Sequence, residues 1–292
     1  MTGPKAITAS NAIARRCSYL WFLIASILLS GCGGLKSTTA TTIPNSTAST
    51  RPIQAATTST TTTVVSENWP TLIIDAMAIV GSKTKMPLEA PSSLPGPPDQ
   101  ANSATVMNTS TKYRVDLFHC ETALPIDDPA IGSGQCGGLA SVYGSFGGEL
   151  FPTPAAARAA VNARLKVPSG CDQVTKAQLD PGVVAELYSA NDIPCVAIWH
   201  LSKWTYQVDG DLSLVGLSGK AQWLPFAQSI VSYSMAHTLP PAGGVFSCDI
   251  AGDGLHTALA WNSSNSLYSV SVYHQAIPAL SIAASMKPFP VP

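Results

Sequence analysis

The sequence predicts an α+β fold in which helices pack on one face of an antiparallel sheet. Alternating apolar residues at Tyr113, Val115 and Leu117 predict a half-buried strand. Residues 222–236 carry apolar side chains at helical spacing, and two apolar runs on either side of residues 262–265 predict a hairpin. Hairpins and helices that do not alternate regularly along a chain indicate α+β rather than α/β architecture.

The N-terminal half of the predicted domain holds two helices and two strands. Pro70 precedes a helix whose apolar residues are Leu72, Ile73, Ala76, Ile79 and Val80. Residues 86–98 contain five prolines and predict a loop, and a strand over residues 139–146 follows the strand at Tyr113. Thr153 and Pro154 are an N-cap and a first helical residue, which predicts a helix over residues 155–165.

The C-terminal half repeats this order in outline. Strands are predicted over residues 195–201 and 205–208, before a turn at Asp209 and Gly210. The hairpin pairs residues 256–261 with residues 267–273, and a closing helix covers residues 278–286. Strand, strand and helix therefore occur in sequence twice, near residues 112–166 and 256–286, which suggests a duplicated unit.

The chain has seven cysteines, and five of them belong to the predicted domain. An odd number in an exported domain predicts two disulfides and one free thiol, in any of about fifteen arrangements. Proximity along the chain favours the pairs Cys120–Cys136 and Cys171–Cys195. Cys248 is then the free thiol, and its apolar neighbours favour a buried small side chain over a nucleophile.

An N-terminal segment fixes where the chain is expected to work. Arg15 and Arg16 precede an apolar run over residues 19–29 that is too short to span a bilayer. Leu29, Ser30, Gly31 and Cys32 end this run as a lipobox, and the segment resembles bacterial lipoprotein precursors. The resemblance implies cleavage between Gly31 and Cys32 and a lipid on the Cys32 thiol. An uncleaved anchor or an ordinary secretory signal is the alternative.

Three regions follow from this reading: a signal peptide over residues 1–31, a lipidated tether over 32–67, and an extracytoplasmic domain over 68–292. Seventeen of the 35 residues from 33 to 67 are Ser or Thr, which predicts a disordered tether. Cleavage removes three basic residues and no acidic one, so the whole-chain charge of −1 becomes about −4. The Ala-, Thr- and Pro-rich composition is typical of actinobacteria.

Motif searches leave binding as the expected function at the cell membrane. The sequence has no esterase elbow, zinc-protease motif or Walker loop, so we expect no cofactor, metal or catalytic residue. Scattered basic residues exclude a nucleic-acid partner. Core packing explains most of the one aromatic concentration, and the alternative is a groove for an apolar or glycan ligand, or for an envelope protein. That concentration comprises Trp199, Trp204, Tyr206 and Trp223.

A second class of function stays open, because a catalytic site can be assembled from residues that are distant in sequence. An envelope enzyme would place an acid or a histidine near Cys120 and Asp127. The stretch from Phe151 to Arg158 that leads to Cys171 is also similar to the extracellular sensor domains of mycobacterial membrane kinases. That resemblance implies a disulfide-clamped α+β domain with a ligand cleft.

Overall fold

The computed structural model describes residues 69–96, 101–133, 136, 141–191, 193–210, 220–251, 254–273 and 275–290. The predicted signal peptide, the lipobox with Gly31 and Cys32, and the predicted tether lie outside the described residues. Within the described ranges, no helix is both long enough and apolar enough to cross a membrane.

The described part of the chain contains four helices and twelve strands. The helices are α1 (Thr71–Gly81), α2 (Pro154–Asn162), α3 (Lys220–Ala236) and α4 (Ala276–Ser285). The strands are β1 (Glu89–Pro91), β2 (Ser103–Asn108), β3 (Lys112–Phe118), β4 (Val142–Leu150), β5 (Gln173–Asp180), β6 (Val183–Ala190), β7 (Ile193–Leu201), β8 (Trp204–Gly210), β9 (Gly244–Ala251), β10 (Gly254–Ser263), β11 (Ser266–Tyr273) and β12 (Met286–Pro288).

Ten strands form one sheet in the order β2-β3-β4-β11-β10-β9-β8-β7-β6-β5. Neighbouring strands are antiparallel except β8 and β9, which are parallel. Two parallel strands need a connection that returns the chain to the same end of the sheet, and the segment that contains α3 makes this connection. The remaining strands, β1 and β12, pair with each other and join the start of the domain to its C-terminal end.

The main core lies on one face of the sheet, beneath α1, α3 and α4. Alternate residues of β3 (Tyr113, Val115 and Leu117) enter this core, as do Phe246 of β9 and Trp261 of β10. Period-two alternation sends the intervening residues to the opposite face. The two faces of the sheet therefore differ in composition and in cover.

Helix α2 packs on the opposite face because of where the chain must go next. Strand β4 is central, whereas β5 forms the far edge of the sheet. The connection between them crosses the face opposite the main core, and Val161 of α2 packs there with Val245, Ala260 and Leu267. We call α2 together with residues 163–172 the crossover. It covers part of this face and leaves the rest open.

The predicted fold class is confirmed, with a large and mostly antiparallel sheet and four helices in the described residues. Three of these helices share the core face, and α2 is the exception. Strand, strand and helix do recur as β3-β4-α2 and β10-β11-α4. However, α2 and α4 contact opposite faces of the same hairpin, so the recurrence is not a repeated packing unit.

Both predicted disulfides are present, joining Cys120 to Cys136 and Cys171 to Cys195. Cys248 is free and buried, as its apolar neighbours indicate. The first disulfide closes the loop after β3, and the second ties the end of the crossover to the start of β7. Each therefore fixes a segment with little regular secondary structure.

Candidate functional site

The open part of the face opposite the core forms a cavity of about 320 Å³. Its lining comes from β3, β4, β10 and β11, together with Arg164 of the crossover. We call this cavity the face cleft. Its volume is at the lower end of small-molecule pockets, which suits a ligand of one or two rings.

Small side chains form the floor of the face cleft. Ser145 and Gly147 of β4 lie opposite Ser271 and Ser269 of β11 in the strand register, and Ala258 of β10 continues the row from Ser271. Small residues at adjacent positions on neighbouring strands keep the sheet surface low. The floor thus offers hydroxyl groups and space at the same place.

Charged side chains surround this floor. Lys112 pairs with Glu149, with 3.3 Å between Nζ and Oε2, and Arg114 Nε lies 2.6 Å from an Asp116 carboxylate oxygen. Each of these two cations is therefore neutralised by a carboxylate beside it. Arg164 adds a third cation, so the cleft and its immediate pairs hold one more positive than negative group. The chain as a whole is negative.

Arg164 is held at the cleft by contacts on both sides of it. Leu165 packs against the small cluster on this face of the sheet. The side-chain amide of buried Gln207 makes two hydrogen bonds to the backbone of Lys166, the residue after Leu165. Gln207 Oε1 accepts from the Lys166 N–H at 3.0 Å, and Gln207 Nε2 donates to the Lys166 carbonyl at 2.6 Å. Partial desolvation lowers the pKa of Arg164, and the Glu149 carboxylate opposes this shift.

A histidine and an aromatic ring close one end of the cleft. His256 Nε2 lies 3.1 Å from Ser271 Oγ, within hydrogen-bonding distance. The His256 and Tyr273 rings face each other across β10 and β11, with centroids 4.9 Å apart. On its other side His256 is in register with Asp249 of β9. The cleft therefore combines ring surfaces with hydroxyl and imidazole groups.

Two carboxylates extend this polar row beyond the cleft. Asp209 of β8 is in parallel register with Asp249. Burial and the Asp249 carboxylate raise the pKa of Asp209 to about 6, although a hydrogen bond from Gln207 opposes the shift. The turn predicted at Asp209 and Gly210 is not found there, since β8 continues through both residues.

The four aromatic groove candidates lie in the main core. Trp199, Tyr206 and Trp223 are each 1% exposed and Trp204 is 4% exposed. The Trp199 and Tyr206 rings stack with centroids 5.4 Å apart. Trp204 and Tyr206 also reach a separate cavity of about 340 Å³ beside Leu239. Core packing accounts for Trp199 and Trp223, whose burial keeps them from lining a surface groove.

The residues near Cys120 and Asp127, which are the candidates for an enzyme site, do not line the face cleft. Asp127 Oδ1 instead accepts a hydrogen bond at 2.6 Å from the backbone N–H of Val106 and supports the turn there. The Cys248 thiol accepts a hydrogen bond from Thr257, and burial raises its pKa to about 12. Across the described ranges, no group of His, Cys, Asp and Glu has the arrangement of a metal site.

No family model, curated protein or solved structure matches the chain.

Proposed function

We propose that the chain is a lipid-anchored protein of the cell envelope that binds a hydroxyl-rich ligand, a short glycan, in the face cleft. The observation that carries the binding role is the cleft floor of small residues between charged and aromatic side chains. The anchoring rests on the lipobox at Cys32. Two disulfides in the domain support an oxidising, extracytoplasmic compartment.

A glycan fits the chemistry of this cleft better than an apolar ligand. The floor presents Ser145, Ser269 and Ser271, and the rim presents charged groups, and all of these side chains are able to hydrogen-bond to sugar hydroxyls. Tyr273 and His256 supply ring surfaces against which the apolar face of a sugar packs. An apolar ligand would shield these polar groups from water without hydrogen-bonding to them, which costs binding free energy.

Blocking the floor tests the binding role directly. Full-length protein in detergent would be screened on an array of envelope glycans, beside variants with Ser269→Leu and Ser232→Leu. Leu at 269 fills the cleft from the sheet surface, whereas Ser232 is an exposed residue of α3 on the core side. We expect glycan binding that Ser269→Leu abolishes and Ser232→Leu retains. Equal loss or equal retention in both variants would contradict the proposal.

The anchoring has its own measurement. Intact-mass spectrometry of the protein from its host membrane should show a mature N-terminus at Cys32 carrying a diacylglycerol. An unmodified chain that retains residues 1–31 would refute the lipoprotein assignment and leave the binding assignment standing.

One contact favours a second candidate function, the hydrolysis of an ester through a covalent acyl-serine intermediate. His256 Nε2 and Ser271 Oγ are placed as a base and a nucleophile would be, and Asp249 lies on the far side of His256. In such a reaction His256 would take the hydroxyl proton as Ser271 attacked an ester carbonyl. The leaving alcohol would take this proton from His256, and a water deprotonated by His256 would then cleave the acyl-serine, releasing the acid and returning the proton to Ser271.

The second candidate is weakened by the lack, in the described strands, of free backbone N–H groups beside Ser271 that could stabilise an oxyanion. The backbone N–H groups of β11 take part in ladders with β4 and β10. An oxyanion would therefore have to be held by side chains instead of backbone donors. A fluorophosphonate probe separates the two candidates: a hydrolase labels at Ser271 and loses the label in Ser271→Ala, whereas a binding protein does not label.

A further inference from the structure

We infer that the ligand of the face cleft is an acidic sugar whose carboxylate docks on Arg164. This inference rests on the proposed function and names the chemical class of the glycan. It is drawn from one cation in the cleft that the protein itself leaves without an ion pair.

Two of the three cations at the cleft form ion pairs with carboxylates, and the third, Arg164, does not. Lys112 and Arg114 are each committed to a carboxylate beside them on the sheet. Arg164 is not within ion-pair distance of any carboxylate in the described part of the chain, and Glu149, whose charge acts on it, is already paired with Lys112. A guanidinium keeps its charge at any physiological pH and presents five donors. It is therefore the group that a ligand anion can engage without breaking an existing pair.

The backbone around Arg164 is fixed before any ligand arrives. Helix α2 ends at Asn162, and the N–H groups of Arg164 and Leu165 bond back to its last turn. Gln207, which is 1% exposed, holds the next residue by two hydrogen bonds, and Cys171 ties the far end of the crossover to β7. A segment ordered in advance loses little entropy on binding, which favours affinity.

The charge of the site favours a carboxylate over a phosphate monoester. With one uncommitted guanidinium, the cleft neutralises one negative charge. A carboxylate carries one charge and matches the planar guanidinium with two parallel hydrogen bonds, whereas a phosphate monoester carries nearly two charges. The serine hydroxyls of the floor then face the hydroxyl groups of the sugar ring.

Matched sugars test this inference in the full-length protein. N-acetylmuramic acid differs from N-acetylglucosamine by a lactyl ether on O3 that carries a carboxylate, whereas N-acetylglucosamine 6-phosphate carries its anionic group, a phosphate, on O6. Isothermal titration would compare the three sugars at low and high salt. We expect the carboxylate sugar to bind at least about tenfold more tightly than the neutral one, with an advantage that shrinks at high salt.

Variants assign the effect to Arg164. Arg164→Gln should remove the advantage of the carboxylate sugar over the neutral sugar, and Arg164→Lys should retain part of that advantage. Arg158→Gln is the matched control, because Arg158 is an exposed residue of α2 outside the face cleft. It should bind all three sugars as the unmodified protein does.

Three outcomes would overturn the inference in distinguishable ways. Equal binding of neutral and carboxylate sugars, unaffected by Arg164→Gln, refutes the role of Arg164 and leaves glycan binding standing. Tighter binding of the phosphate sugar refutes the carboxylate assignment. Failure of all three sugars, together with an empty glycan array, refutes the proposed function as well.

Discussion

Glu89 is a half-buried carboxylate that makes folding depend on pH, and its replacement by Gln should remove the part of that dependence that Glu89 contributes. Glu89 lies in β1, the short strand that pairs with β12. Its Oε2 accepts a hydrogen bond of 3.3 Å from Trp261 Nε1, and its backbone carbonyl accepts one of 2.6 Å from the Tyr113 hydroxyl. Burial raises the pKa of Glu89 from 4.5 to about 7, against the lowering effect of the Trp261 hydrogen bond.

The sign of the effect follows from proton binding. Between the unfolded pKa of 4.5 and the folded pKa of about 7, the folded state holds more protons on Glu89 than the unfolded state. The free energy of unfolding therefore falls as pH rises through this window. One pKa unit corresponds to about 1.4 kcal/mol, so the full shift would cost about 3 kcal/mol above pH 7. Because the side chain retains some contact with solvent, we expect a loss of about 2 kcal/mol between pH 5 and pH 8.

A glutamine side chain at this position would keep the acceptor for Trp261 without a charge to bury, so Glu89→Gln should match the unmodified protein at pH 5 and exceed it at pH 8. Urea unfolding of the full-length chain, monitored by tryptophan fluorescence with disulfides intact, measures the difference. Glu121→Gln is the control, since Glu121 is exposed. A stability gain from Glu89→Gln that is the same at both pH values, or no gain at pH 8, would refute the reasoning.

Three further predictions concern the core and the cysteines. Replacing Cys171 and Cys195 together by Ala opens a link between residues 24 positions apart and should lower the free energy of unfolding by about 3 kcal/mol in non-reducing urea titrations; a loss below about 1 kcal/mol would contradict this. Gly148→Ala should cost about 1–3 kcal/mol in the same assay, because the new Cβ would lie within 2.8 Å of two core side chains, whereas Gly96→Ala meets open space and should be neutral. The buried Cys248 thiol should resist iodoacetamide at pH 8 and react once the chain is unfolded in urea without reductant, as peptide mass mapping would detect; rapid native labelling would count against its burial.

Elements with strong local signals could be predicted from the sequence. Thr153 caps α2 through a hydrogen bond of 3.1 Å from the backbone N–H of Ala156, and Pro154 begins that helix as expected. The hairpin of β10 and β11 and the helix α3 also follow from local periodicity. These predictions succeed because turns, caps and helical faces are determined by residues close together in the chain.

Elements stabilised only by distant partners were missed. Strand β1 lies in the proline-rich stretch predicted as a loop, and its pairing residues Glu89 and Pro288 are almost two hundred positions apart. Strand β5 is an edge strand of mostly exposed side chains, which leaves its apolar pattern weak. No local periodicity reports such pairings, because the partner strand supplies the hydrogen bonds.

The candidate site had a partial signal in the sequence. Ser269 and Ser271 alternate with apolar residues in β11, which indicates a strand with one polar face. Whether that face meets solvent, another layer or a ligand depends on the neighbouring strands and on the path of the crossover. Arg164 stands in no motif, and the proposal that it binds an anion depends on knowing the ion pairs of the surrounding cations.

The path of the crossover explains why the face cleft exists at this place. A chain that leaves a central strand for the far edge of a sheet must cover one side of the face and leave the other side bare. The covered side is apolar around Val161, where packing against α2 excludes water. The bare side must remain compatible with water, so its strands carry serine, glycine and paired charges. Arg164 lies at the boundary between the two sides. Its backbone N–H bonds to the last turn of α2, while the residue lines the cleft on the bare side. A backbone held in place beside a cation without an ion pair is what a binding site for an anion requires.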